Sequence, residues 1–183
     1  MNVAVLGANY RTMAMEMRER LAVNRQRLPD FLTACQGGFG CEVVLLSTCN
    51  RVEAYLARLD EEPLPGLTQW AEFLQQRTGV PANELLGHLY EHREREAARH
   101  LFRVASGLDS LVVGEDQIAN QVKSAYEQAQ EVGTVGPILH ALFQQARLVS
   151  KRVRRETGIA QGKVSLASLG LDYLRQVFAS FRD

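Results

Sequence analysis

Val43-Val44-Leu45-Leu46-Ser47-Thr48-Cys49-Asn50-Arg51-Val52-Glu53-Ala54-Tyr55-Leu56 holds two strands and the turn that joins them. Glu42–Leu46 is a short apolar run of strand length, and Val52–Leu59 alternates apolar and other residues at the period of a strand. The polar break between them is too short for a crossover. The two strands therefore pair antiparallel, as a hairpin.

Working outward, Asn2–Leu6 reads as a short buried strand ended by Gly7. Met15–Ala22 carries helix formers, and Asn24 is placed to cap a second helix running to Cys35, with Gly37-Gly38-Phe39-Gly40 as a turn. After the hairpin, Asp60–Gly66 is a loop with two prolines. Leu67–Arg77 is helical with Trp70, Phe73 and Leu74 on one face. Pro81–Leu86 is a short helix and Leu89–His92 a last strand. The order strand–helix–strand–strand–helix–strand predicts an α+β fold, a ferredoxin-like antiparallel sheet sandwich with additional helices.

The additional helices follow. Glu94–Val104 places Ala97, Ala98, Leu101 and Phe102 at helical spacing, and Glu115–Glu131 opens on acidic residues suited to a helix N-terminus. Pro137 and Gly158 bracket a long third helix. Leu166, Leu169, Tyr173, Leu174, Val177, Phe178 and Phe181 predict a fourth, a long C-terminal helix with an apolar stripe that calls for a partner.

Composition narrows the function classes. Lys+Arg and Asp+Glu balance at 21 each in 183 residues, so any basic footprint for nucleic acid is local. Arg147 and the run Lys151-Arg152-Val153-Arg154-Arg155 form one such patch near a helix end, where the helix dipole favours cations in any case. Cys35, Cys41 and Cys49 are odd in number and form no C-x-x-C pair, which reads as reduced thiols in a cytoplasmic protein with no metal site. No apolar run is long enough to span a membrane. No G-x-G-x-x-G follows a strand, so no dinucleotide-binding residues are assigned.

Three places carry candidate chemistry. Cys49 sits where a buried strand gives way to a turn, beside Thr48 and Arg51; a lone cysteine there is more often a small buried hydrophobe, but a neighbouring cation favours a nucleophilic thiolate. The stretch Ser106-Gly107-Leu108-Asp109-Ser110 breaks a long apolar helix, either as a capped joint or as a recess lined by hydroxyls and a carboxylate. Gln117, Gln121, Ser124 and Gln128 share one helix face, a solvated stripe or a clamp for a small polar ligand. His100, at the margin of an apolar face, is by default a structural histidine, with general acid–base work as the minority reading.

Taken together, Leu45 to Glu53, His100 to Ser110, Val113 to Ile118 with Gln121-Val122-Lys123, Lys151 to Thr157, and Val164-Ser165 resemble the glutamyl-tRNA reductases, in order and along almost the whole chain. The resemblance implies that Cys49 attacks the ester joining glutamate to its tRNA. It forms a thioester that NADPH reduces to glutamate-1-semialdehyde for tetrapyrrole biosynthesis. It also implies a substrate pocket of Thr48, Asn50, Arg51, Ser110, Glu115, Asp116, Gln117 and Gln121, with Arg51 holding the glutamate carboxylate. His100 is implied to act by proton transfer to the ribose oxygen. Residues 1–160 match the catalytic domain and 161–183 the start of an inter-domain linker helix. The family's NADPH-binding and dimerisation domains find no counterpart within Met1–Asp183. The resemblance further implies a homodimer, hand-over to an aminomutase, and no membrane. Two departures stand out: the family's Gly-x-Asn-His-Lys-Thr-Ala-Pro is Gly7-Ala8-Asn9-Tyr10-Arg11-Thr12-Met13-Ala14 here, and Asp116 stands where proline is common. From these residues the isolated chain is expected to form the thioester without reducing it. The rival expectation is a non-catalytic module that binds tRNA or a partner.

Overall fold

The computed structural model describes residues 2–160 and Leu174. Its elements run β1 (Asn2–Asn9), α1 (Met15–Leu21), α2 (Leu28–Phe39), β2 (Glu42–Ser47), β3 (Arg51–Arg58), α3 (Leu67–Thr78), α4 (Ala82–Leu86), β4 (Tyr90–Arg93), α5 (Glu94–Ala105), α6 (Asp116–Val132) and α7 (Pro137–Glu156), closing on a single tight turn, Gly158–Ala160. The four strands form one antiparallel sheet in the order β2-β3-β1-β4. The chain is thus α+β, as its pattern predicts. The expected C-terminal helix over 166–181 lies outside the described residues.

β3 decides the architecture. Arg51 to Ala57 are all buried, although successive side chains of a strand face opposite ways. Both faces of the sheet are therefore covered. On one side α1 and α2 pack on the sheet, and Phe31 of α2 meets Trp70 and Phe73 of α3 edge-on, the last two stacked on each other within α3. On the other side Tyr55 meets Phe143 of α7 edge-on at 5.3 Å, and Phe143 stacks on Tyr126 of α6. Arg51 and Glu53, which share the Tyr55 face, are thereby carried inside.

The edge strand β2 is occupied at its start by Thr134, whose carbonyl accepts from Val43 N at 2.9 Å and whose hydroxyl donates to Val43 O at 3.0 Å. Glu42 at the head of β2 accepts from the first amides of α7, Ile138 N and Leu139 N at 3.1 and 2.7 Å, placing a carboxylate at the positive end of that helix.

Two local expectations are corrected. β1 does not stop at Gly7 but runs to Asn9, pairing with β3 along its whole length, and Gly7 leaves room for that pairing: a Cβ there would lie 2.3 Å from Val52 O. Gly37 and Gly38 are not a turn. α2 continues through Phe39 and ends on left-handed Gly40, while its start moves from Asn24 to Leu28, with Asn24 instead closing the preceding turn onto Arg27 N.

Candidate active site

Cys49 lies at the tip of the β2–β3 hairpin. Thr48 N donates to Arg51 O at 2.8 Å, and the Thr48 hydroxyl accepts from the amides of Asn50 and Arg51, both at 3.1 Å. Thr48 therefore builds the turn from within. A two-residue turn held this way throws its first residue outward, and Cys49 is exposed while Cys35 and Cys41 are buried. Two further ties hold the tip: Tyr10 N donates to Asn50 O at 2.8 Å, and the buried Arg18 of α1 donates through Nε to Cys49 O at 3.2 Å. Burial pushes the Cys41 thiol up to about 11 and the Cys35 thiol further still.

In front of Cys49 is a recess of about 350 Å³ whose wall includes Arg18, Glu19, Asn24, Ser47 and Thr48. Through Ser47 and Val23 it adjoins a second recess of about 230 Å³ lined by Gln121, Ser124 and Gln128 of α6. The Gln121, Ser124 and Gln128 face of α6 and the cysteine turn are thus neighbours. Glu115 and Gln117 line neither recess; Gln117 is exposed, and the Glu115 carbonyl accepts from Arg154 at 2.9 Å. The side chain of Asp116 lies outside what the structure describes.

Arg51 is not presented open to a ligand, contrary to the expectation for it. It is 1% exposed, and its guanidinium spans two carboxylates: Glu53 at 2.7 Å and Asp109 at 3.2 Å, with a further bond to the Asp109 carbonyl. The physical reason is the strand alternation that turns it inward, toward Glu53 and the joint that carries Asp109. Glu53 is the hub. Fully buried, it accepts from Arg51, from Tyr55 at 2.6 Å, from Tyr90, and from His100 Nε2 at 2.9 Å. Burial alone would raise its pKa, but the Arg51 guanidinium and the His100 and Tyr55 donors outweigh it and hold the carboxyl at about 2. An ionised carboxylate only accepts, so His100 carries its proton on Nε2. Burial and the Glu53 charge push the hydroxyls of Tyr55 and Tyr90 far above their ordinary range, keeping both as donors.

His100 faces a third recess, about 390 Å³, shared with Asn9, Arg11, His92, Arg103 and Asp109; none of its lining residues borders the Cys49 recess. The His100 Nε2 is tied to Glu53 at 2.9 Å, and the recess His100 faces is separate from the one in front of Cys49. Ser110 is buried, and its Oγ has no partner among the described residues, an arrangement a folded chain normally reserves for a ligand or water. The Ser106–Glu115 joint that carries it is closed by Gly114 N donating to Gly107 O at 3.0 Å, both glycines at positive φ. Tyr10 donates to Ser110 O at 3.5 Å and Arg11 pairs with Asp109 at 3.0 Å, so the departure from the usual histidine here makes a strut between β1 and the joint.

Sequence reasoning missed Glu53 and Arg18. Glu53 was legible, as an acid two residues from Arg51 on the same face of a buried strand. Arg18 carried no signal that separates it from the surface residues of α1. Among the described residues no group of three or more His, Cys, Asp or Glu is arranged to hold a metal, and no helix is long and apolar enough to cross a membrane.

The sequence model of the family described as "Glutamyl-tRNAGlu reductase, N-terminal domain" matches residues 6–157. Among curated proteins, the glutamyl-tRNA reductase of Desulforudis audaxviator is 43% identical over 181 residues, covering 98% of this chain and 40% of that protein. That of Moorella thermoacetica is 44% identical over 179 residues, with 97% and 40% coverage. The solved glutamyl-tRNA reductase from Methanopyrus kandleri superposes with a TM-score of 0.71 at 33% identity, over 95% of this chain and 39% of its own. The chain spans about two fifths of the length of the relatives it matches. It belongs to the glutamyl-tRNA reductase family and corresponds to the family's N-terminal domain.

Proposed function

We propose that this chain is the acyl-accepting domain of a glutamyl-tRNA reductase, with residues 1–160 as its catalytic domain and 161–183 as the start of a linker to further domains. The observation that carries the reading is Cys49: an exposed thiol on a doubly tethered hairpin tip, opening onto a recess that adjoins Gln121. The Cys49 sulfur attacks the glutamyl carbonyl carbon, the bond to the ribose oxygen breaks, that oxygen takes up a proton, and the acyl group stays on sulfur as a thioester. Asn50, Ser110, Glu115, Asp116, Gln117 and Gln121 are read as the surrounding substrate contacts. Ser110 is the best supported of them, by its unpartnered buried hydroxyl. A glutamate carboxylate reaches Arg51 only by displacing Asp109, which Arg11 is placed to retain. We read His100 as a positioning residue, hydrogen-bonded to the Glu53 hub, and β2-β3-β1-β4 as the ferredoxin-like order.

In the longer relatives, NADPH would supply hydride to the thioester, releasing glutamate-1-semialdehyde for tetrapyrrole synthesis. The described residues do not fit that dinucleotide: every strand pair is antiparallel, and no glycine-rich strand–helix turn opens a crevice at parallel strand ends. The reduction, the homodimer and transfer to an aminomutase belong to the longer protein. Residues 2–160 taken by themselves would leave the thioester to water, a slow glutamyl-tRNA hydrolysis.

The test is to mix the chain with tRNA carrying labelled glutamate and quench in acid. One labelled adduct per chain is expected, released by hydroxylamine, mapped to the Cys49 peptide and absent from Cys49→Ser. A chain that forms no adduct, and deacylates the tRNA no faster than Cys49→Ser does, is a binding module instead. Semialdehyde formation by this chain with NADPH would overturn the division of labour.

A further inference from the structure

α6 has two working faces. Gln121, Ser124 and Gln128 turn toward the recess that adjoins Cys49. On the opposite side, Asn120, Lys123 and Gln130 form one wall of a groove of about 540 Å³, and α7 forms the other. The floor is aromatic, with Tyr126 and Phe143 stacked at 5.7 Å. From α7, Arg147, Lys151 and Arg154 stand at i, i+4 and i+7, a single stripe about 10 Å long by helical rise. The groove thus gathers four cations against one acid, Glu127, in a chain whose charges otherwise balance. Lys123 is paired with Glu127 at 3.4 Å, and Arg154 donates to the Glu115 carbonyl. Arg147 and Lys151 are exposed, and neither is paired with a carboxylate among the described residues.

We propose that this groove seats the phosphate backbone of the RNA whose 3′ end carries the glutamyl ester. The proposal rests on the reading of Cys49 given above. An open groove with a row of cations suits a polyanion better than a single small anion. Exposed lysine and arginine beside the amide side chains of Asn120 and Gln130 are the groups that contact phosphates and 2′-hydroxyls without reading sequence. The placement also fits the path of such a substrate. The ester enters on one face of α6 and the cations lie on the other, so the single-stranded end need only cross one helix, about 10–12 Å across. The groove holds the body of the RNA while the α6 glutamines meet its aminoacyl end.

The experiment compares the 183-residue chain with Arg147→Ala/Lys151→Ala. The control is Arg95→Ala/Arg152→Ala, which removes two exposed arginines outside the groove. Binding of fluorescent glutamate-accepting tRNA is followed by anisotropy across salt concentrations. Cys49 acylation is measured separately with a glutamyl ester of the 3′-terminal trinucleotide, which has no helical stem. The groove variant is expected to bind tRNA at least 10-fold more weakly near 0.1 M salt, with a log–log salt slope shallower by about 1.8, as two lost duplex phosphate contacts predict. Its acylation by the short ester and its thermal melt are expected to be unchanged, and the control is expected to bind tRNA like the parent chain. If the groove variant binds tRNA as tightly as the parent, or the control weakens as much as the groove variant, the proposal is overturned while the reading of Cys49 stands. If the parent chain is acylated by the short ester yet binds no tRNA, the proposal is likewise overturned. Failure of both esters to acylate Cys49 in the parent chain would overturn the function reading itself.

Discussion

At the scale of the residue, three cysteines in one small fold have distinct environments. Cys35 sits in the core, where burial, with Cys41 close by, pushes its thiol far up; Cys41 is held at about 11 by burial, which nearby Arg58 only partly offsets. Cys49 is exposed at the hairpin tip. Alkylation follows the thiolate and its access. At pH 8, iodoacetamide is therefore expected to label one cysteine per native chain within minutes, and peptide mapping to find it at Cys49. Cys35 and Cys41 should react only after denaturation. Native labelling spread over all three would mean that the packing around β2 is not as described. The position of Cys49 was legible from the apolar run before it and the polar break after it. The inward turn of Arg51 was legible too, had the strand alternation been carried one residue further: Tyr55 is a core residue, so Glu53 and Arg51 on the same face must be inside. What the sequence did not disclose is that Asp109, distant in the chain, completes the Arg51 pair.

At the scale of the element, glycine positions separate two kinds of close approach. At Gly7 an added Cβ meets backbone, Val52 O at 2.3 Å and Glu53 Cα at 2.8 Å, so β1 and β3 must part for any side chain to fit. At Gly136 the added Cβ meets only the Glu42 side chain, Oε1 at 2.4 Å, Cδ at 2.5 Å and Cγ at 2.7 Å, so a side chain rather than backbone must move. Gly7→Ala is therefore expected to cost about 1–3 kcal/mol or more, the range for overpacking. Gly136→Ala is expected to cost less, about 0.5–2 kcal/mol, as the Glu42 carboxylate moves off the two α7 amides it accepts from. Urea unfolding of both variants checks the order, and equal losses would contradict it. The same contrast shows why elements were easier to read than their ends. The helical periodicity of α3, α5, α6 and α7 lies in the side chains, and their predicted spans agree with the structure to within a residue or two at most ends. Gly7, Gly37 and Gly38 were read as chain breaks because glycine usually is one. Here Gly7 marks a strand–strand approach, and Gly37 and Gly38 sit inside a helix that ends only at Gly40. Local preference is a weak prior that tertiary packing overrides.

At the scale of the whole molecule, the sheet and the helical layer over its charged face are joined through Glu53, which links β3 to β4 through Tyr90 and to α5 through His100, while Arg51 extends the link to the Asp109 joint. A carboxylate held at about 2 in the fold and near 4.5 in the unfolded chain makes stability depend on acid in a definite direction. Between those values the unfolded chain binds more protons than the folded one, so stability is fully present above about pH 4.5 and is lost as pH falls toward 2. Glu53→Gln keeps the shape but removes both the charge and its titration. At pH 7 it leaves Arg51 with Asp109 alone and is expected to cost about 3–5 kcal/mol, the range for breaking a buried ion pair from one side. As pH falls below 4.5 the parent chain loses the same contribution, and the gap between the two should close. His92, whose pKa is lowered by burial and by neighbouring His100, adds an acid-sensitive contribution of its own, present above pH 6.5 and lost as pH falls. The Glu53 charge partly offsets that lowering, so His92→Gln is introduced into both proteins to keep this contribution out of the difference. Urea midpoints for the pair from pH 7 to pH 2.5 make the measurement. Convergence of the two curves below pH 4.5 places Glu53 as the charge that joins the layers. Parallel curves over the whole range would show that folding leaves the Glu53 pKa unshifted, and a parent chain that gains on Glu53→Gln as pH falls from 7 to 4.5 would show a carboxyl kept protonated in the fold.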